Sequence, residues 1–145
     1  MIKYEDLVKY LIQLGQRHPN IELVSFGQDL EIINKPDFKT PALIISPVSA
    51  QMNEGSRMVY NFNLIYLDKL REEGDHHVMI LEDSIHYMIG YLSVLDLEHQ
   101  LNFPFDISPV LTDFDGGYMI GSQATISIEN IYNIEKFKSV FYGNE

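Results

Sequence analysis

The sequence predicts an α+β domain, a mostly antiparallel sheet of long strands packed by an N-terminal helix and a long central helix. Three observations predict it. Apolar residues recur at helical spacing over residues 4–18 and again over 75–96. Residues 57–67 alternate strictly between two faces, as a strand requires. A double glycine, Gly116-Gly117, separates two further extended runs and supplies the positive φ of a tight hairpin.

In the first helix Tyr4, Leu7, Val8, Leu11, Ile12 and Leu14 form the apolar stripe, with Glu5, Asp6, Lys9 and Gln13 between them. Gly15 and then Pro19-Asn20 end it, because proline cannot donate the helical bond and biases its predecessor toward extended geometry. Residues 21–26 and 30–33 read as a short hairpin around Gly27-Gln28-Asp29, followed by a polar loop over 34–40. Residues 41–52 are extended, and Pro47 within them calls for an edge position, a bulge or a break. In the clearest strand, Met58, Tyr60, Phe62, Leu64 and Tyr66 share one face. Arg57, Val59, Asn61, Asn63, Ile65 and Leu67 share the other.

For the central helix the spacing places Val78, Leu81, Ile85, Met88, Ile89, Leu92 and Leu95 on the buried stripe, with Asp75 as N-cap. Gly90 costs about 1 kcal/mol of helix propensity and so marks a close approach to the sheet. A loop with Asn102, Pro104 and Pro109 leads to a strand over 110–115. In the returning strand Ile120, Ser122, Ala124, Ile126 and Ile128 face inward, opposite a wholly polar row of Gly121, Gln123, Thr125, Ser127 and Glu129. A half-exposed antiparallel strand has this pattern. Residues 132–145 carry Ile134, Phe137, Val140 and Phe141 at roughly helical spacing and form a short helix or docking arm on a domain spanning 1–145.

Composition narrows the function. One core of ordinary size follows from 145 residues at 46% hydrophobic. Without cysteine there is no disulfide, thiolate nucleophile or cysteine-based zinc site. Charged and polar residues interrupt the N-terminal helix, which therefore lacks the core of a signal peptide. Other apolar runs fall short of the roughly 20 residues that cross a bilayer, so the expectation is a soluble protein. A net charge of −11 opposes gripping a phosphate backbone, while remaining compatible with a passage along which DNA slides without sticking.

Candidate chemistry is sparse. Asp75, His76, His77, Glu82, Asp83 and His86 contain metal-ligating types, yet there is no HExxH, and adjacent histidines diverge by about 100° on a helix. Asp113, Asp115, Gly116 and Gly117 lack the spacing and closing glutamate of a calcium loop. No phosphate-binding lysine follows the glycines, and Ser46, Ser84 and Ser122 lie in no nucleophile elbow. The sequence therefore predicts no catalytic, cofactor-binding or metal-binding residues. Aromatic residues at Phe137, Phe141 and Tyr142 suit an interface, where they bury much area with little rotamer loss.

The run RMVYNFNLIYLDKL at 57–70, the helix VMILEDSIHYMIGYL at 78–92 and the closing strand GGYMIGSQATISIEN at 116–130, in this order, resemble the tail-terminator and tail-completion (neck ring) family of tailed bacteriophages. The resemblance covers nearly the whole chain and rests on patterning. It implies a non-enzymatic virion protein, assembled in the host cytoplasm, that forms a homo-oligomeric ring, commonly a hexamer, at the neck or the head-proximal end of the tail. Such a ring joins connector and tail proteins and lets DNA pass without sequence-specific binding, with no membrane and no cofactor involved. Gln123, Thr125, Ser127 and Glu129 would then border a lumen or a neighbour, although a plain solvated sheet face has the same pattern. Two other readings are an intracellular adaptor that uses a sheet edge and the aromatic tail, and a small metal-dependent enzyme that gathers His76, His86 and nearby acids.

Overall fold

The computed structural model describes residues 3–54, 57–70, 77–99, 101, 105–114, 117–131 and 140–143. In chain order the elements are helix α1 (Tyr4–Gln16), strand β1 (Leu23–Phe26), helix α2 (Asp29–Ile33), strands β2 (Ala42–Asn53) and β3 (Arg57–Lys69), helix α3 (His77–His99), and strands β4 (Ser108–Phe114) and β5 (Gly117–Ile131). The strands form one five-stranded sheet in the order β1-β2-β3-β5-β4. Its α+β class and the two packing helices match the expectation from sequence.

The alternation read in β3 holds. Tyr60, Phe62, Leu64 and Tyr66 join Leu43, Ile45, Ala124, Ile126 and Ile128 in the main core, beneath α1 and α3. Each of these large side chains stabilises the fold by about 1.5–3 kcal/mol on leaving water. Two tyrosine hydroxyls tie the helices together over the sheet. Tyr87 Oη donates to the Gly15 carbonyl at 2.9 Å and Tyr91 Oη to the Leu11 carbonyl at 2.8 Å. Buried Ser84 and Ser122 pair at 2.7 Å and join α3 to β5.

Four expectations are corrected. Residues 30–33 form α2 rather than a returning strand, and β1 instead pairs in parallel with β2. A parallel pair needs a crossover of a dozen or more residues, which the segment between β1 and β2 supplies. A helical turn also lets the adjacent Ile32 and Ile33 both reach the second apolar cluster, with Ile44, Ile65, Leu67 and Met119, whereas strand neighbours would point to opposite faces. The buried stripe of α3 is rotated from the one expected. It comprises Ile80, Ser84, Tyr87, Met88, Tyr91, Leu92 and Leu95, while Val78 is 74% exposed and Ile89 49%. Apolar residues surround this helix, so the hydrogen-bonding needs of Ser84, Tyr87 and Tyr91 decide which side goes in.

The close approach falls at Gly15, not Gly90. A Cβ on Gly15 would lie 2.8 Å from Leu43 Cδ2, whereas one on Gly90 would meet nothing within 4 Å. Finally, α3 is long and apolar enough by length and composition to cross a membrane, although no uninterrupted apolar run suggested it; in this fold it lies along the sheet. The expected N-cap Asp75 lies outside the described residues. Pro47 sits at a register shift between Pro47 and Ser49, a bulge in β2. β1 pairs with β2 only as far as Ile45, so the proline also occupies an edge.

Gly121 has the tightest surroundings. A Cβ there would lie 1.6 Å from the Tyr66 carbonyl oxygen across the β3–β5 pair. The Gly121→Ala substitution is therefore expected to cost more than about 3 kcal/mol or to prevent folding, whereas Gly90→Ala should stabilise by about 0.5–1 kcal/mol. Urea unfolding of both variants checks the pair, and similar midpoints would refute it.

Burial raises the phenol pKa of Tyr66, Tyr87 and Tyr91 above the ordinary 10.0, with smaller contributions from neighbouring acids or tyrosines. A proton held more tightly in the folded state means that stability is intact below pH 10 and is lost as pH rises through the folded values. Tyrosinate absorbance followed beside circular dichroism should show these phenols ionising together with unfolding. Tyrosinate formation complete near pH 10 in a still-folded chain would contradict the burial.

Candidate functional site

The sheet face opposite α1 and α3 carries the candidate site. At one end, α2 covers Ile44, Ile65, Leu67 and Met119. Beyond α2 the same face turns polar, because the registers place Ser49 opposite Asn61, Asn61 opposite Ser127, and Asn63 opposite Thr125. Asn61 Nδ2 donates to Ser49 Oγ at 2.9 Å and Asn61 Oδ1 accepts from Ser127 Oγ, so one amide spans three strands. Thr125 Oγ1 donates to Asn63 Oδ1 at 3.3 Å. Arg57 and Glu129 complete the row at 3.9 Å, each more than half exposed. An exposed pair of this kind is worth little in stability.

The four expected strand residues lie together here: Thr125, Ser127 and Glu129 exposed and Gln123 half-buried. Gly121, expected in the same polar row, is buried. Sequence reasoning left Ser49, Asn61 and Asn63 out of the site, although the alternation of β3 had put both asparagines on the correct face. Phe141 and Tyr142 stand 83% and 77% exposed on a short helical turn, outside both apolar clusters. Phe137 lies outside the described residues.

Concave surfaces lie beside the sheet and between the helices. A cleft of about 410 Å3 borders Gln123, Thr125 and Ser127 where β4 begins. A more apolar groove of about 320 Å3 lies between the C-terminal end of α1 and α3, bounded by Leu14, Tyr87 and Val94, with Arg17, His18 and His86 also lining it. No family model matches this chain. No curated protein is similar to it either.

Among the described residues no three histidine or acidic side chains gather closely enough to hold a metal ion. His86 Nε2 lies 4.0 Å from Glu82 Oε1 in an exposed pair, His77 is exposed, and Asp75 and His76 lie outside the described residues. Asp115 and Gly116 likewise lie outside the described residues. Ser46 Oγ donates to the Gly27 carbonyl at 2.7 Å, fixing the exit of β1. The hydroxyls and amides of the polar face are suited to hydrogen bonding with another surface.

The polar row contributes little to folding, because its hydrogen bonds are exposed and compete with water. The Asn61→Ala variant should lose no more than about 1 kcal/mol by thermal unfolding. A loss of several kcal/mol would show that the row is a structural element instead of a contact surface.

Proposed function

We propose that the chain is a structural subunit acting by self-association and docking, without turnover. In this reading it builds a homo-oligomeric ring at the neck or head-proximal tail end of a tailed-phage virion, joins connector and tail components, and lets DNA pass. One observation carries the reading: a long sheet face that no helix covers beyond α2 among the described residues, with its hydroxyls and amides held in register across β2, β3 and β5. The Arg57–Glu129 pair on it is internally balanced, within a chain of net charge −11. A surface bordering a DNA passage works best without cations that hold phosphate, since each such contact adds salt-dependent affinity. The resemblance of 57–70, 78–92 and 116–130 to tail-terminator proteins supports the same reading.

Light scattering and negative-stain microscopy over a wide concentration range test it. Closed rings with a mass several times 16.8 kDa are expected as concentration rises, since assembly follows mass action. A strictly monomeric particle throughout opposes the reading. Replacing Thr125 and Ser127 together by arginine should leave the ring closed and make it retain double-stranded DNA in a salt-sensitive way. Loss of ring closure in this variant would place the face against neighbouring subunits, and intact rings that ignore DNA would place it away from the passage.

A further inference from the structure

The groove between α1 and α3 has an apolar floor. Tyr87 and Tyr91 commit their hydroxyls to the carbonyls of Gly15 and Leu11, so what they offer the groove is ring carbon, beside Leu14 and half-buried Val94. Gly90 adds bare helix backbone. It is exposed and lines the groove, and a Cβ there would meet nothing within 4 Å. Glycine weakens a helix interior, and no packing contact requires one at this position. What its missing side chain leaves is room in the groove.

The rim of this floor consists of hydrogen-bond donors. In a chain with 21 acidic side chains, exposed Arg17 forms no ion pair among the described residues. His18 Nδ1 accepts the Asn20 backbone N–H at 3.2 Å, which places its ring proton on Nε2 as a donor. The same ring packs edge-on against Tyr87, with centroids 5.2 Å apart, and so is held in place. His86 enters from α3, and its partner Glu82 stays 4.0 Å away, beyond hydrogen-bonding distance. The dipole at the C-terminal end of α1 accounts for cations at 17 and 18. It does not account for His86 on the other helix, or for all three side chains lining one apolar concavity.

We propose that this groove binds a small aromatic carboxylate, with the ring on the floor formed by Tyr87, Gly90 and Val94 and the carboxylate held by Arg17 together with His18 and His86. A planar guanidinium matches a carboxylate in two parallel hydrogen bonds. The volume of about 320 Å3 suits a small ligand, whose pockets are mostly apolar with a few convergent polar groups. Glu82 beside His86 favours a single negative charge over the two of a phosphate, since like charges repel. The rings of Tyr87 and His18 favour a flat aromatic body over an acyl chain, because ring edges and faces attract one another. This complementarity is local to the rim and owes nothing to net charge. The site lies within one chain and stands apart from ring assembly.

The probe is the naphthoate anion, titrated into the full-length protein and followed by amide NMR shifts. Saturation at or below about 1 mM is expected for a ligand of this size, with shifts centred on residues 14–19 and 86–94. Neutral naphthamide, which keeps the rings and loses the charge, should bind at least about tenfold more weakly. Arg17→Met should weaken naphthoate about tenfold and leave naphthamide unchanged. Gly90→Leu should keep the native circular dichroism spectrum, because a Cβ there is unobstructed, and lose binding of both ligands by filling the groove. Absence of saturation, equal affinity for naphthoate and naphthamide, unaltered naphthoate affinity in either folded variant, or shifts centred on the cleft beside Gln123 and Thr125 would overturn the proposal.

Discussion

A sheet with apolar side chains on both faces must be covered on both, and in this chain the covers are unequal. Tyr60, Phe62, Leu64 and Tyr66 of β3 are roofed by two helices, whereas Ile65 and Leu67 on its reverse depend on the five residues of α2. Every other element is placed by that inequality. The long cover is locked by two tyrosine hydroxyls that reach backbone carbonyls of α1, and those bonds require the contact distance that Gly15 permits. Buried hydroxyls without acceptors would each cost about 1–3 kcal/mol, so the pairing also dictates how α3 rotates about its axis.

Where the short cover ends, side-chain chemistry changes within one strand. Ile65 is followed, two residues back along β3, by Asn63 and then Asn61, and β5 follows suit with Thr125 and Ser127. The flanking strands stop at about the same level. β1 leaves at Phe26, opposite Ile45, and β4 begins opposite Gln123. Among the described strands, a section of β2, β3 and β5 therefore extends beyond both neighbours, with one polar face. Contact surfaces are what this arrangement makes available.

Much of this was legible in the sequence, for physical reasons particular to each element. β3 declares itself because its two faces differ at nearly every step, and the row from Gln123 to Glu129 is readable for the same reason. α3 misleads because its apolar residues surround the axis, so periodicity cannot choose a side. Residues 30–33 misled because a leucine, an acid and two isoleucines satisfy a strand and a helical turn equally over so short a span. The pairing of the two runs that Gly116-Gly117 separates was legible, whereas glycine function was illegible at Gly15 and Gly90, where it depends on what packs alongside. The link from Ser49 through Asn61 to Ser127 depends on register. It is not a property of any single segment.

The two bonds that seat α1 join residues 72 and 80 positions apart in sequence. A helix of 13 residues is marginal on its own in water, and its acceptor carbonyls find their partners only after the chain has been synthesised past Tyr91. During translation, Leu7, Leu11 and Leu14 thus have no native roof mate until more than half of the polypeptide has emerged. Closure of the core is a late event in the life of each nascent chain, and the interval before it is when its strands are most open to pairing with the wrong neighbour.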